Sequence, residues 1–257
     1  MTLNLQPVPR IPLGHAPLVH VLCQVRFSPT PELVESDAAG LVLRSSLTPY
    51  PDHRVEHGVV LQLPPVAPQS STGFAQRVLR SVDGAWTVTV AADFVALATT
   101  RYVDRGDFAQ RLRTVLEAVA ASGQPAVVER VGVRYVDRVE GPDLLTNLSG
   151  LINPRLHGCL DGDDPSVELQ QQVVQASLRT ASDEITVRSL AMPPNALYDP
   201  LVQPVPQHSW VLDIDAFTTE RSAFDVEALA GTAARLGEHV HSTFRWAVTD
   251  TFLTAYA

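Results

Sequence analysis

Residues 127–140, Val-Val-Glu-Arg-Val-Gly-Val-Arg-Tyr-Val-Asp-Arg-Val-Glu, constrain the fold more than any other stretch of the chain. The run lacks proline, is rich in β-branched residues and alternates, which is the pattern of a strand. Side chains alternate along a strand, so Val127, Val131, Val133, Tyr135 and Val139 share one face and Arg130, Arg134 and Arg138 the other. At about 3.3 Å per residue, successive arginines stand roughly 13 Å apart. Residues 18–27 read the same way: Val19, Val21, Cys23, Val25 and Phe27 lie on one face, with His20, Gln24 and Arg26 opposite.

Val25-Arg26-Phe27 therefore matches Val133-Arg134-Tyr135. Two further matches follow in order. The stretch 79–88 aligns without gaps on 178–187, and Arg105-Gly-Asp-Phe108 aligns on Arg221-Ser-Ala-Phe224. Ordered internal matches are the signature of a repeat. The expected architecture is α+β: a tandem duplication of a β-α-β(3–4)-α unit, forming one curved, mostly antiparallel sheet with helices on one face. Residues 1–17, with four prolines, read as an N-terminal arm; 18–123 are the first copy; 124–257 are the second, ending in a long helix.

In the first copy, Thr30 and Pro31 offer an N-cap and an N1 residue for a helix reaching about Leu47. A short strand is expected at 58–63 and a loop at 64–68. A hairpin is expected around Val82-Asp83-Gly84, because Asp-Gly is a strong turn signal. Thr87 and Thr89 then oppose Trp86, Val88 and Val90. Residues 94–100 are a further strand. A helix over 105–121 carries Phe108, Leu112, Val115, Leu116 and Val119 on one stripe. In the second copy, a short helix from 142, an acidic loop at 159–165, strands at 167–180, 184–191 and 210–217, and a Pro-rich excursion at 193–206 lead to a helix from 222. Its stripe runs through Phe224, Leu229, Leu236, Val240, Phe244, Val248 and Phe252.

This element order resembles the saddle of the TATA-box-binding protein, a likeness of arrangement that transfers no function. The opening from Pro17 to Pro29, the Gly132-Val-Arg-Tyr-Val-Asp-Arg138 core and the chain length resemble a sporadically distributed bacterial family with no assigned activity. Members often carry an Arg-Tyr-Ile-Asn-Arg-like core, where Val136 and Asp137 stand here. The resemblance implies a bacterial cytoplasmic protein and brings no catalytic residues with it.

Net charge is −9, and all 19 basic residues are arginines. An acidic chain argues against non-specific binding to nucleic acid or an anionic membrane. The lack of lysine excludes Schiff-base and P-loop lysine chemistry; codon bias in a GC-rich genome is the bland reading of it and avoidance of lysine modification the sharper one. No signal peptide or membrane span is visible, and two cysteines make no disulfide framework. Cys23 reads as a core residue.

The candidate binding residues are Arg26, Arg130, Arg134, Arg138, Asp213 and Asp215. On the sheet face away from the helices, the arginines would stand with Thr87, Thr89, Gln170 and Gln172. The bland reading pairs the arginine row with Asp213 and Asp215 in an internal ion-pair network. Asp213-x-Asp215 lacks a third ligand for a metal, and the Asp161-Gly-Asp-Asp164 loop lacks the closing glutamate of a calcium loop. His239 and His241 face apart on a helix and read as surface residues, and His157 with Cys159 fixes no geometry. No cofactor and no metal are expected. The expected function is a non-enzymatic binding or accessory protein engaging a protein partner through the exposed sheet face or the groove between copies. The alternatives are an enzyme or small-molecule binder using Arg134 with Asp213 or Asp215 on an anionic ligand, a nucleic-acid saddle, and a homodimer through the C-terminal helix.

Overall fold

The lead strands form where alternation places them, as β1 (Leu18–Phe27) and β6 (Val127–Glu140). The computed structural model describes the chain except residues 1–4, 7, 10, 12, 60–72, 142–143, 160–165, 167–168 and 200–201. The remaining described strands are β2 (Asp52–Val59), β3 (Gly73–Arg80), β4 (Trp86–Ala91), β5 (Phe94–Thr99), β7 (Gln172–Arg179), β8 (Glu184–Met192), β9 (Ser209–Thr218) and β10 (Ser222–Ala223). The helices are α1 (Glu32–Glu35), α2 (Asp37–Ser46), α3 (Arg105–Gly123), α4 (Leu144–Leu151), α5 (Val226–Ala247) and α6 (Asp250–Ala255). The strands hydrogen-bond into one mostly antiparallel sheet in the order β2-β3-β4-β5-β1-β6-β9-β8-β7, with β10 on β6. The α+β class expected from the alternation is the class observed. Each lead strand lies beside the last long strand that follows it, and the order then steps back through the chain in both halves.

Two compact units cut across the two chain segments. One is Leu22–Val131 with Thr219–Ala233; the other is Met1–Val21, Gly132–Thr218 and Ala234–Ala257. In the first, Trp86, Val88 and Val90 of β4 are buried with Phe108, Leu112, Val115, Leu116 and Val119 of α3. Fully burying an aliphatic or phenylalanine side chain contributes about 1.5–3 kcal/mol. The Phe108 ring lies 5.9 Å from Trp86, and the Arg111 guanidinium sits 4.4 Å over the Trp86 ring. Asp104 caps α3 by accepting from the Asp107 N–H.

The helix expected from Thr30 to Leu47 is two helices. Ser36 is extended (φ −83°, ψ 124°), and its hydroxyl accepts from the Ala39 N–H, starting α2 anew. Arg77 stabilises the break by donating to the carbonyls of Leu33, Val34 and Ser36 at the end of α1. Thr30 caps nothing; its hydroxyl donates to the Ser28 carbonyl. The strand expected at 58–63 starts earlier, at Asp52, and its end, with the loop at 64–68, lies outside the described residues. So does most of the acidic loop at 159–165. The Asp-Gly hairpin is where it was expected, with Gly84 at φ 70°.

In the second unit, Trp210, Leu212, Ile214 and Ala216 of β9 are fully buried. Trp210 packs edge-on against Phe252, which also meets Phe244 and stacks on Tyr256. The apolar residues that suggested a homodimer are therefore largely spent inside this unit. The long C-terminal helix breaks after Ala247. Asn153 causes the break: its carboxamide donates to the Trp246 carbonyl, its own N–H to that of Ala247, and Thr249 then caps α6. No helix among the described residues is long and apolar enough to cross a membrane.

The strand expected at 167–180, whose first two residues lie outside the described ones, is Gln172–Arg179, and Gln172 does not stand on the open face. Its carboxamide is bonded to the His157 carbonyl and the Cys159 N–H. Its neighbours Val173, Gln175, Ser177 and Arg179 are exposed instead, and Gln170 lies outside the strand.

Candidate functional site

On β9, Asp213 alternates with the fully buried row that ends at Ala216, so it points to the opposite face of the sheet. The β8–β9 register sets Arg188 across from Asp213 and Leu190 across from Val211. Arg134 of β6 reaches the same carboxylate. Its Nε donates to Asp213 Oδ1 at 2.8 Å and its Nη2 to Oδ2 at 3.2 Å. Arg188 Nη1 donates to Oδ2 at 2.9 Å, and the Tyr198 hydroxyl donates to Oδ2 at 2.5 Å. The third Arg134 contact is Asp199, at 2.7 Å from Nη1. Two guanidinium groups thus meet two carboxylates, and the cluster is neutral.

Burial governs its electrostatics. The Asp213 side chain is 0% exposed, Arg134 18% and Arg188 32%. Burial opposes the charge on Arg134, but Asp213 and then Asp199 overcome that and hold its pKa above the ordinary arginine value. Burial, with the hydrogen bond to Asp213 second, pushes the Tyr198 phenol up to about 12. His20 is 4% exposed, and neither ring nitrogen has a hydrogen-bond partner among the described residues. Burial, and then the charge of Arg134, lower its pKa; Asp199 and Asp213 pull the other way.

Tyr198 and Asp199 belong to the Pro-rich excursion, and this is the main correction to the expected open face. In this unit the arginine row is covered. Residues 193–199 and 202–206 lie over it, folded on themselves by Asn195 N–H to Val205 O and Val202 N–H to Asp199 O. Asn195 takes a left-handed φ of 60°, which asparagine tolerates. Val202 packs with Val136, Leu190, Met192 and Val211, flanked by Ala196 and Tyr198. Arg138 adds a second tie: its Nη1 donates to the Gln203 carbonyl at 2.5 Å, and its Nε pairs with Glu140. A cleft of about 10 Å³ beside Arg138 and Tyr198 is about the size of one water.

The other sequence candidates lie apart. Arg26 makes an exposed ion pair with Asp93 at 2.7 Å. Arg130 is half-buried, and its charge slightly offsets the burial that pushes the Cys23 thiol up to about 12. Cys23 is a core residue, as expected. Asp215 is half-buried, opposite Thr186 on β8. His157 turns its ring to the Ile152 carbonyl, and the Cys159 N–H is held by the Gln172 carboxamide. His239 is not a free surface residue: with Arg235 it donates to the buried carboxylate of Asp183 in the β7–β8 turn.

Sequence reasoning found Arg134 and Asp213 but missed Arg188, Tyr198 and Asp199. Arg188 alternates with Val187 and Ser189, which gives its face, though only the strand register supplies its partner. Tyr198 and Asp199 sit in an aperiodic segment with no such signal. The chain matches no protein-family model and no curated protein sequence.

Proposed function

We propose that this is a non-enzymatic binding protein of the bacterial cytoplasm that docks a protein partner on the open sheet face of the unit carrying β2–β5. The observation that supports it is the composition of that face. The register aligns Arg80 with Thr87, Asp52 with Arg80, and the buried Val78 with half-buried Thr89, on the side away from the buried Trp86, Val88 and Val90. Around Thr87 and Thr89 stand the ion pairs Arg54–Asp52 and Arg80–Glu56, and the exposed Arg26 is paired with Asp93. Each arginine is balanced by a carboxylate. Such a surface offers polar contacts without the uncompensated positive charge that a phosphate backbone requires.

The second unit speaks against catalysis at the arginine row. A general base needs a free lone pair within reach of substrate. The Asp213 carboxylate already accepts four hydrogen bonds beneath the excursion. The like strand order of the two halves supports descent from a copied module, with one copy's open face kept and the other's covered. The free thiol of exposed Cys159 suits a reducing compartment.

The test is site-specific crosslinking in a native host extract, with benzoylphenylalanine placed at Thr89 or, as a control, at exposed Glu117 of α3. A discrete protein adduct from position 89, absent from 117 and lost on Thr87→Arg, supports the reading. Adducts to nucleic acid, or the same adducts from both positions, overturn it.

A further inference from the structure

We propose that a cleft between α2 and the β2–β3 pair binds a small oxyanion, a phosphate or a phosphomonoester group. It lies on the side of the sheet away from Thr87 and Thr89, and it stands independently of the docking face.

Gly40, Leu43 and Arg44 recur at i, i+3 and i+4 on α2 and line a space of about 50 Å³ with His53 and Arg54 of β2 and Arg77 of β3. That volume holds a few water-sized groups. It suits one phosphate and falls far below the roughly 300–1,000 Å³ of a pocket for a whole organic ligand.

The lining includes Arg44, Arg77 and His53 and no carboxylate, while the register turns the Arg54 side chain to the opposite, Thr89-bearing face. Arg54 is already bonded to Asp52, at 3.1 Å from Nε. The other cations are not neutralised. Arg77 spends Nε and Nη2 on the carbonyls of Leu33, Val34 and Ser36, which fix the guanidinium and leave its full charge. Its Nη1 lies against Gly40, where an added Cβ would come within 2.7 Å of it. Glycine therefore lets a rigid guanidinium lie beside the cleft, and rigidity lowers the entropic cost of binding. Arg44 is exposed at the mouth and has no carboxylate partner among the described residues. Clustered cations repel, and His53 registers it. Burial first, and then the charge of Arg44, lower its pKa, with Arg77 adding to this against Tyr50 and Asp52. A bound dianion would relieve the repulsion and raise the His53 pKa.

The experiment is a titration of the full chain with inorganic phosphate at constant ionic strength, followed by NMR of the His53 ring and the Gly40 and Arg44 amides. The expected result is a saturable shift with a rise in the His53 pKa. Arg44→Gln and His53→Gln should each weaken binding at least fivefold, and Arg26→Gln should leave it unchanged. Phosphoserine should compete at the same resonances, whereas acetate should not. Both variants fold if the Trp86 and Trp210 fluorescence is retained, so each reads the site independently. Shifts that fail to saturate, shifts reproduced by chloride, competition by acetate at equal concentration, or wild-type binding in both variants would overturn the proposal.

Discussion

Replacing Asp213 with alanine is the sharpest perturbation of the buried cluster. Among the described residues, it leaves Arg134 with Asp199, leaves Arg188 with Gln175 at 2.9 Å, and removes the acceptor of the Tyr198 hydroxyl. Removing one member of a buried ion pair costs roughly 3–5 kcal/mol, mostly because the survivor stays buried and uncompensated. Arg188 reaches water and accounts for no more than about 1 kcal/mol of this. The expected loss is therefore about 4 kcal/mol. Urea unfolding followed by tryptophan fluorescence suits the measurement, since Trp210 sits on the same strand and is fully buried. A double-mutant cycle with Arg134→Met should give a coupling of about 2–3 kcal/mol. A single-variant loss below about 1 kcal/mol, together with no coupling, would refute the claim that the pair is buried and closed.

Four other outcomes are expected. Burial pushes the Asp137 carboxyl up to about 7, above its unfolded value of about 3.9. Its contribution is then full below about pH 4 and is lost as pH rises to about 7, by on the order of 4 kcal/mol. Asp137→Asn should be the more stable protein at pH 8 and lose that advantage at pH 4, as read from urea midpoints. Tyr198→Phe should lower stability by about 2 kcal/mol, because a charged acceptor loses a donor. Asp199→Asn should speed limited proteolysis within 193–206 without changing cleavage elsewhere, as mass spectrometry of the fragments would record. Ser36→Ala should cost about 1 kcal/mol in thermal or urea unfolding through loss of the α2 cap.

The strands were the legible part of the chain. Alternation at 18–27, 86–91 and 127–140, and the Asp-Gly turn at Gly84, carry their information locally, and the structure places them as read. What failed was decided by residues distant in sequence. Arg77 ends α1 from a strand beyond the next helix, and Asn153 ends α5 from more than ninety residues earlier in the chain. Thr30 looked like a cap because its type and position suited one, but the cap that forms is Ser36. The arginine row illustrates the same limit for the site. Period 2 put Arg134 and Asp213 on facing surfaces, and their charges suggested a pair. Nothing periodic in residues 193–206 announced that the segment would fold back over them, since its fixing contacts are single ones: Asp199 to Arg134, Tyr198 to Asp213 and Gln203 to Arg138.

Amide hydrogen exchange in that segment tests most directly whether the arginine row is a closure and not an open site. The Val202 and Asn195 amides, bonded to the Asp199 and Val205 carbonyls, should be protected in the wild-type chain. In Asp213→Asn they should exchange at least about tenfold faster while the β4 amides keep their protection. Free exchange of Val202 and Asn195 in the wild type, or unchanged rates in the variant, would contradict the account.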